Sequence, residues 1–338
     1  MTGFKKRLAS TALATAITLT ALPVSVFFIS TGAAAEGIPS GFAYAQGTRF
    51  MLDGSPFYYA GTNCYYLTFK SQDAVDNVFK DAEAMGLKVI RVWGNLDVGV
   101  KTGTTDSEGK PVFTNNNDGP GEKDGIYFQY FDKALGKPVT NFGEDGIKKL
   151  DYALYQAEKH GIKLLITFTN YWDAFGGMGQ YVKWAEELGI TGLKKDDFYT
   201  NETLKGWYKD YVNGLLNHTN PYTNRKLKDE PSVFAWELSN EPRCNTDAQC
   251  KDNILYNWAK EMSAYVKSID PYHMVSVGDE GFYNLGYQEA ARQDLPSSAY
   301  SGYYGVDFDK LMTIETVDFG TPHMYVDQWG FDLGDDDL

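Results

Sequence analysis

The chain has 338 residues and a formal net charge of −14, with 45 acidic against 31 basic side chains. This balance argues against nucleic acid as a partner, because a phosphate backbone demands clustered Lys and Arg. Aromatic residues make up 15% of the chain, including 24 Tyr and 7 Trp. Most such rings pack inside a protein, but exposed ones offer flat apolar surfaces. A neutral substrate therefore fits the composition better than an anionic one.

The amino terminus has the features of a secretory signal. Three basic residues at 5–7 precede an uncharged run at 8–29, and three alanines follow at 33–35. We expect residues 1–35 to be removed, the mature chain to begin near Glu36, and the protein to be secreted with no membrane association after cleavage. An uncleaved anchor is the alternative, since the run is about 20 residues long, although its hydroxyl side chains and central proline weaken that interpretation.

Residues 36–338 are enough for one large domain. Short apolar runs alternate with amphipathic segments, which predicts parallel strands covered by helices. Gly86 and Gly161 are the expected stops of two helices. The predicted strands are 57–66, 89–94, 163–172, 233–241, 274–282 and 318–325, and the predicted helices are 73–85, 144–160, 201–218 and 248–268.

Polar or aromatic side chains stand at the end of each predicted strand, as Asn240 and Glu241 do after the fourth. Chemistry collected at the carboxyl ends of parallel strands is typical of an eight-stranded (β/α)8 TIM barrel. A doubly wound sheet would also alternate in this way, but no glycine-rich phosphate motif follows the first strand. The long connection 96–142 is expected on the catalytic face, or else as a surface excursion pinned by its aromatic stripe at 127–131.

Two kinds of chemistry lack support in the sequence. The four histidines form no closely spaced pair with each other or with a cysteine, so we expect no metal site. No G-x-S-x-G motif indicates a serine nucleophile, although a triad is recognised by geometry and stays open. Among the cysteines, Cys64 lies in an apolar strand and is expected as a buried thiol. Cys244 and Cys250 would close a short loop, and whether they are bridged is left open.

Carboxylate chemistry is better supported. Glu241 is expected where a strand meets a loop, with Asn240 before it and Pro242 fixing the backbone after it. A general acid at neutral pH needs a raised pKa, which burial against Trp236 or Trp172 would provide. Alone, Asn-Glu-Pro is also compatible with a simple turn.

Several separated motifs together resemble glycoside hydrolase family 5, and within it the endo-β-1,4-mannanases. The similarity runs from about Gly41 to the end of the chain. The segments that carry it are Val-Ile-Arg-Val-Trp at 89–93, Asn-Tyr-Trp-Asp-Ala-Phe-Gly-Gly at 170–177, the strand at 235–243, Val-Gly-Asp-Glu-Gly-Phe at 277–282 and Pro-His-Met-Tyr at 322–325.

The resemblance implies a role for each matching residue. Glu241 would be the general acid/base, and Asn240 would bind the sugar at the cleavage subsite. Arg91 and Tyr325 would orient the nucleophile, and His323 would line the same subsite. The remaining expected substrate-cleft residues are Trp93, Trp172, Arg243 and Glu280, with Arg243 on the leaving-group side. Each has a structural alternative: an ion pair for Arg91, a hydrogen-bonded core histidine for His323 and packing for the tryptophans.

The implied reaction is retaining, endo-acting hydrolysis of internal β-1,4-mannosidic bonds in β-mannan or manno-oligosaccharides, with no metal or organic cofactor. The family's nucleophilic Glu ends a seventh strand, and none of the glutamates after Glu241 is a convincing substitute. We therefore expect a barrel truncated after the sixth strand, 36–338 as its amino-terminal portion, the nucleophile beyond Leu338 and an inactive isolated chain. Another family 5 β-glycanase (cellulase or xylanase) and a non-catalytic mannan-binding protein remain alternatives.

Overall fold

The computed structural model describes residues 37–117, 125–244, 253–293, 295 and 297–325. The predicted signal at 1–35 lies outside these residues, as does the start of the predicted helix 248–268. In the part that is described, no helix combines the length and the apolarity needed to cross a membrane.

The described chain begins with a small antiparallel sheet that the sequence did not predict. Its strands are β1 (Ala43–Gln46), β2 (Arg49–Leu52) and β3 (Ser55–Pro56). Ala43 packs in one apolar cluster with Val89 and Phe234, which lie early in two of the later parallel strands. The small sheet therefore covers the amino-terminal end of the central sheet, opposite the end where the site forms.

The other strands and the α-helices follow in chain order. The strands are β4 (Gly61–Asn63), β5 (Val89–Trp93), β6 (Asp97–Thr105), β7 (Pro111–Thr114), β8 (Gln129–Asp132), β9 (Lys137–Thr140), β10 (Lys163–Thr167), β11 (Val233–Glu237) and β12 (Met274–Ser276). The helices are α1 (Gln72–Ala84), α2 (Lys148–Lys159), α3 (Gly177–Glu186), α4 (Glu202–Asn217), α5 (Ile254–Ile269), α6 (Tyr287–Arg292), α7 (Ser297–Tyr300) and α8 (Phe308–Leu311).

Five of these strands form one parallel sheet. They lie in the order β12-β11-β10-β5-β4, so neighbours in space follow one another along the chain. A doubly wound sheet reverses its strand order at a switch point, and no reversal occurs among the described strands. Every residue of β10 and β11 is buried, as continuous apolar runs predict for strands covered on both faces.

The helices pack around this sheet through one apolar face each. Gly86 and Gly161 follow α1 and α2 with φ of +75° and +61°, which confirms them as helix stops. The helices predicted at 73–85, 144–160 and 201–218 are confirmed as α1, α2 and α4. Fully buried residues of the shared core include Phe79 of α1, Leu154 of α2, Leu215 of α4 and Met262 of α5.

The predicted sixth strand at 318–325 is wrong. The segment lies beside β12, and the Asp318 N–H donates to the Val275 carbonyl at 2.8 Å. The returning N–H of Val275 is taken by the Asp318 carboxylate at 2.7 Å instead of by a backbone carbonyl. Pro322 has no N–H to donate. The ladder therefore does not propagate, and no strand is formed.

The described residues of the connection 96–142 form a third sheet. Its strands lie in the order β7-β6-β8-β9. The sheet packs on α3, where the indole N–H of Trp184 donates to the Val98 carbonyl at 2.9 Å. Because α3 directly follows the third-strand loop, this sheet supports the loop that carries Trp172.

Candidate active site

The backbone brings Glu241 to the carboxyl end of the central sheet. Beyond β11, Asn240 forms an isolated parallel bridge with Asn170 from the end of β10. The Glu241 N–H donates to the Gly278 carbonyl, beyond β12, at 2.8 Å. Glu241 itself has φ +46°, an uncommon conformation for a side-chain-bearing residue. The carboxyl ends of three neighbouring strands are thus tied together at Glu241.

The Glu241 carboxylate is held on both oxygens. Trp172 donates its indole N–H to Oε2 at 2.6 Å, and His323 Nδ1 lies 2.7 Å from Oε1. The Glu241 side chain is only 13% exposed. The structure therefore brings these three residues together, although Trp172 and His323 lie 69 and 82 residues from Glu241 in the chain.

The prediction of a raised pKa for Glu241 is wrong. Burial does act to raise this pKa, but hydrogen bonds from His323 and Trp172 and the nearby charges outweigh it, so the pKa lies below its ordinary value. Trp236, expected beside the acid, is fully buried elsewhere and donates its indole N–H to Asp270 at 2.7 Å. The rings of Trp172 and His323 lower the pKa of Glu241 because each presents a ring nitrogen, rather than an apolar face, to the carboxylate.

Arg243 and Glu280 form the next group outward. They are ion-paired through Arg243 Nη2 and Glu280 Oε2, and both side chains are mostly buried. The guanidinium also lies over the ring of Trp172, 5.1 Å from its centroid, and over Tyr304 at 4.6 Å. A guanidinium between two rings has a fixed plane, so Arg243 and Glu280 form one wall beside Glu241.

Arg91 donates hydrogen bonds to two residues that precede Glu241 in the chain. Its Nη2 donates to Glu237 Oε1 at 2.5 Å and to Asn240 Oδ1 at 2.7 Å. Thr167 donates to the same Glu237 oxygen at 2.7 Å. Asn240 donates in turn to Asn170 Oδ1 at 2.9 Å. The ion pair inside the sheet, which the sequence left as the structural alternative for Arg91, is therefore formed.

Glu237 was missed by sequence reasoning. It is fully buried, and its ion-pair partner, Arg91, lies on β5, two strands away. A carboxylate inside an otherwise apolar strand needs a partner, because an unpaired buried charge is costly. The sequence signal was the single Glu of β11 together with the single Arg of β5.

Trp93 and Tyr325 are placed less centrally. Trp93 is 9% exposed and lies beside Arg91, whose Cζ is 5.4 Å from its ring centroid. Tyr325 is 44% exposed at the end of the described chain. Both lie on the segments that the sequence predicted for the site.

Contacts with Lys195 and Asn117 hold the loop that carries Trp172 in place. Asp173 pairs with Lys195 at 2.7 Å, and Asn117, which follows β7, donates to Asp173 at 3.1 Å and to the Gly176 carbonyl at 2.9 Å. Lys195 and Asn117 hold the pKa of Asp173 below its usual value against the opposing effect of burial. The third sheet therefore positions Trp172 through this loop.

The structure partly answers the question whether Cys244 and Cys250 are bridged. Cys64 is a buried free thiol, as expected. Cys244 is disulfide-bonded, while Cys250 lies outside the described residues. Within the described ranges, no group of three or more His, Cys, Asp or Glu side chains is arranged to hold a metal ion.

Comparison with known proteins bears out the resemblance in the motifs. A family model described as GH family 5 beta-mannosidase-like matches residues 40–336. The chain is 40% identical over 290 residues to a probable mannan endo-1,4-beta-mannosidase F of Aspergillus oryzae, covering 86% of this chain and 54% of that protein. It is 37% identical over 327 residues to mannan endo-1,4-beta-mannosidase A of Emericella nidulans, covering 96% and 72%. The chain thus spans about half the length of the Aspergillus oryzae protein.

Solved structures agree with the sequence comparisons. An endo-1,4-beta-mannanase from Rhizomucor miehei matches with a TM-score of 0.69 at 36% identity, covering 85% of this chain and 72% of that one. An endo-beta-1,4-mannanase from Thermotoga petrophila matches with a TM-score of 0.67 at 40% identity, covering 83% and 55%. These neighbours imply the (β/α)8 barrel, of which the five described parallel strands are consecutive members. On the match over residues 40–336 and on these relatives, the chain belongs to the beta-mannosidase-like proteins of glycoside hydrolase family 5.

Proposed function

We propose that this protein is a secreted, endo-acting, retaining hydrolase of internal β-1,4-mannosidic bonds, with Glu241 as its general acid/base. The observation that carries the proposal is the enclosed Glu241 carboxylate, bonded by Trp172 at one oxygen and by His323 at the other. The names of the relatives support mannan as the substrate. Secretion rests on the signal pattern at 1–35.

The contacts of Glu241 suit the first half of such a reaction. As the acid gives its proton to the glycosidic oxygen, negative charge develops on the carboxylate. The donors Trp172 and His323 interact more strongly with that charged form than with the neutral acid. They therefore assist proton release to the leaving sugar, and the resulting carboxylate can then take a proton from the water that opens the glycosyl intermediate.

A retaining mechanism also needs a nucleophilic carboxylate about 5 to 5.5 Å from the acid/base. Two carboxylates close to Glu241 in the structure are already engaged: Glu237 with Arg91 and Glu280 with Arg243. Neither has the accessibility a nucleophile needs, since both are almost fully buried. We therefore place the nucleophile outside the described residues.

The surrounding residues form the proposed sugar subsites. Asn240 would bond the sugar at the point of cleavage, with Arg91 fixing its amide through Oδ1. Arg243 and Glu280 would receive the leaving-group side, and the exposed part of the Trp172 ring offers a flat surface there. Trp93, His323 and Tyr325 would complete the cleavage subsite.

The test measures reducing-sugar release from β-mannan, cellulose and xylan. We expect release from mannan by a form of the protein that contains the nucleophile, and a loss of about a thousandfold in E241Q of that form, since general acid/base catalysis typically contributes that much. E261Q, which alters a glutamate paired with Lys205 and Lys209, is the matched control and should retain activity.

Other outcomes separate the alternatives. Preferred release from cellulose or xylan would identify a different β-glycanase of the same family. Binding of manno-oligosaccharides in calorimetry without release by any form, and with no effect of E241Q, would indicate a non-catalytic binding protein. Equal activity of E241Q and the parent protein on mannan would remove Glu241 from the acid/base role.

A further inference from the structure

A tight turn in the crossover after β12 presents Tyr304 to the wall formed by Arg243 and Glu280. The turn spans Gly302 to Gly305, and the Gly305 N–H donates to the Gly302 carbonyl at 2.9 Å. Both glycines have positive φ, +77° and +69°, a conformation that residues with side chains rarely adopt. Tyr304 is not among the residues that the sequence predicted for the site.

Tyr304 contacts the segment of Arg243 with two different groups. Its backbone carbonyl accepts the N–H of Cys244 at 2.8 Å. The Arg243 guanidinium lies over its ring, with Cζ 4.6 Å from the ring centroid, against 5.1 Å for Trp172 and 5.8 Å for Phe282. Tyr304 is therefore the nearest of the three rings, and it is bonded to the same stretch of backbone that carries Arg243.

The hydrogen bonds of Arg243 among the described residues do not fix the plane of its guanidinium. The ion pair joins Nη2 to one oxygen of Glu280, Oε2, and Nε has no hydrogen-bond partner in the described part of the chain. A bidentate pair would hold the plane, whereas a single bond allows the group to turn. A ring on the face of a guanidinium opposes that turn. The orientation of Arg243 therefore depends on the rings that cover it.

We propose that Tyr304 is a positioning residue that acts through Arg243: its ring fixes the plane of the guanidinium and thereby raises the affinity for the sugar on the leaving-group side. The N–H groups of a guanidinium donate in fixed directions within one plane, so turning the plane moves them away from the hydroxyls of a bound sugar. The inference rests on the proposed leaving-group side of the cleft, but the stacking of the two side chains can be observed without turnover.

The kinetic test compares Y304L, which removes the ring, with Y304F, which keeps it, in a form of the protein that contains the nucleophile. The first substrate is a manno-oligosaccharide with sugars on both sides of the cleaved bond. Y304L should raise its KM about fivefold and change kcat by less than about twofold, because a lost cation–ring contact weakens binding and leaves the reacting groups in place. Y304F should keep the KM of the parent protein.

A second substrate isolates the leaving-group side. In a nitrophenyl manno-oligosaccharide that is cleaved at the aryl bond, the leaving group is nitrophenol and no sugar reaches Arg243. Y304L and the parent protein should then have the same KM. A ring that merely supports the fold would instead affect both substrates alike.

The structural test follows the Arg243 Nε–H signal of the intact, 15N-labelled chain by NMR. The signal is identified by its absence in R243K. It should move in Y304L and stay in place in Y304F, since Tyr304 supplies the ring nearest to the guanidinium.

Tyr256 supplies the matched control. It is also a partly buried tyrosine that packs against the main core, and Lys310 Nζ lies 5.1 Å from its ring centroid. Y256L therefore removes a comparable contact between a cation and a ring. It should leave the Arg243 signal and both KM values unchanged, which separates the stacking on Arg243 from a general loosening of the fold.

Each outcome supports or overturns the proposal. An unchanged oligosaccharide KM in Y304L overturns it, as does an equal rise for the nitrophenyl substrate or an unmoved Arg243 signal. If Y304L does not fold, Y304M fills more of the space without a ring and takes its place. If neither folds, a parent Arg243 signal that coincides with those of exposed arginines overturns the proposal.

The two tests also separate this inference from the proposed function. Release of sugar from mannan by the parent protein together with a parent-like Y304L would leave the proposed function standing and remove the role of Tyr304. Absence of release from mannan by a form that contains the nucleophile would defeat the proposed function, and the Arg243 signal would still decide whether the ring holds the guanidinium.

Discussion

Trp172 meets Glu241 with the edge of its ring rather than with its face. The indole N–H lies 2.6 Å from Glu241 Oε2, the guanidinium of Arg243 covers one face, and 43% of the side chain stays exposed. A single side chain therefore supplies a donor to Glu241 and an open surface beside it. These two roles can be separated, because phenylalanine keeps most of the ring and lacks the donor.

In W172F we expect the pKa of Glu241 to rise toward its ordinary value. The reason is that a donor to the charged form lowers the pKa of a carboxyl, and its removal restores the opposing effect of burial. The measurement is a carbon NMR titration of the Glu side chains, with Glu241 identified by its absence in E241Q. In an active form, the alkaline limb of the kcat/KM profile should move to higher pH.

W236F is the matched control for that change. Trp236 is also a buried donor to a carboxylate, but its partner is Asp270. Its substitution should leave the Glu241 titration in place. A Glu241 curve that is the same in W172F as in the parent protein would show that the indole contact does not tune the acid/base.

The Arg91 to Glu237 pair should be important for stability as well as for the site. Glu237 is fully buried, so removing Arg91 leaves an uncompensated charge. We expect R91M to lower the free energy of unfolding in urea by about 3 to 5 kcal/mol. The double variant R91M/E237M should lose less than R91M alone, because the buried charge is gone as well.

An exposed pair provides the comparison. Lys209 and Glu261 are ion-paired with both side chains partly open to solvent. K209M should lower the free energy of unfolding by about 1 kcal/mol or less, as surface pairs do. Similar losses in K209M and R91M would mean that Glu237 is not held as a buried charge.

The sequence predicted β5, β10, β11 and β12 because each lies in an apolar run that is almost entirely buried. The predicted strand 57–66 contains β4, although the three residues of β4 are exposed. The sequence missed β1 to β3 because strands of two to four residues contain too few side chains to show alternation. It missed β6, β7 and β9 because their Gly, Thr, Lys and Pro residues interrupt the apolar signature, and it noted β8 only as part of an aromatic stripe. Those strands depend on tertiary support, such as the contact between Trp184 and Val98.

For the site, residue identity was more predictable than electrostatics. The association of Trp172, Glu241 and His323 came from the resemblance of their motifs to the family, and the structure brings the three side chains together although His323 follows no strand. The direction of the Glu241 pKa shift depends on which atoms of a ring face the carboxylate, and sequence spacing does not contain that orientation. Glu237 was missed because a charge inside a strand points to a partner only when the neighbouring strand is known.

Because of Asp97, the free energy of unfolding should decrease as pH rises. Burial raises its pKa to about 8, against the opposing hydrogen bonds of Gln129 and Asn95, and its Oδ2 has no partner in the described part of the chain. The ordinary pKa of an Asp side chain is 3.8, so folded Asp97 keeps a proton that the unfolded chain loses. Its contribution to the free energy of unfolding is therefore present below about pH 4, declines up to about pH 8 and stays lost above that.

D97N removes this titration, so it should gain stability relative to the parent protein between pH 5 and pH 9. We expect a relative gain of about 3 kcal/mol, measured as the free energy of unfolding in urea at several pH values. D106N, which alters an exposed turn residue, should keep the slope of the parent. A parallel pH dependence of D97N and the parent would contradict a neutral Asp97 in the folded state.

Gly278 should tolerate no side chain. It has φ +85°, and an added Cβ would lie 1.9 Å from the Ser239 carbonyl oxygen and 2.7 Å from Glu237 Cδ. Its own carbonyl also holds the Glu241 N–H. G278A should therefore lower the free energy of unfolding by about 3 kcal/mol or more, since strain at a left-handed position adds to the steric conflict.

Gly206 provides the opposite case within α4. An added Cβ there meets no atom within 4 Å, and alanine costs less backbone entropy in a helix than glycine. G206A should raise the free energy of unfolding by about 0.5 to 1 kcal/mol. If thermal and urea unfolding gave G278A and G206A the same sign, the close approach of Gly278 to Ser239 and Glu237 would not be what fixes the backbone under Glu241.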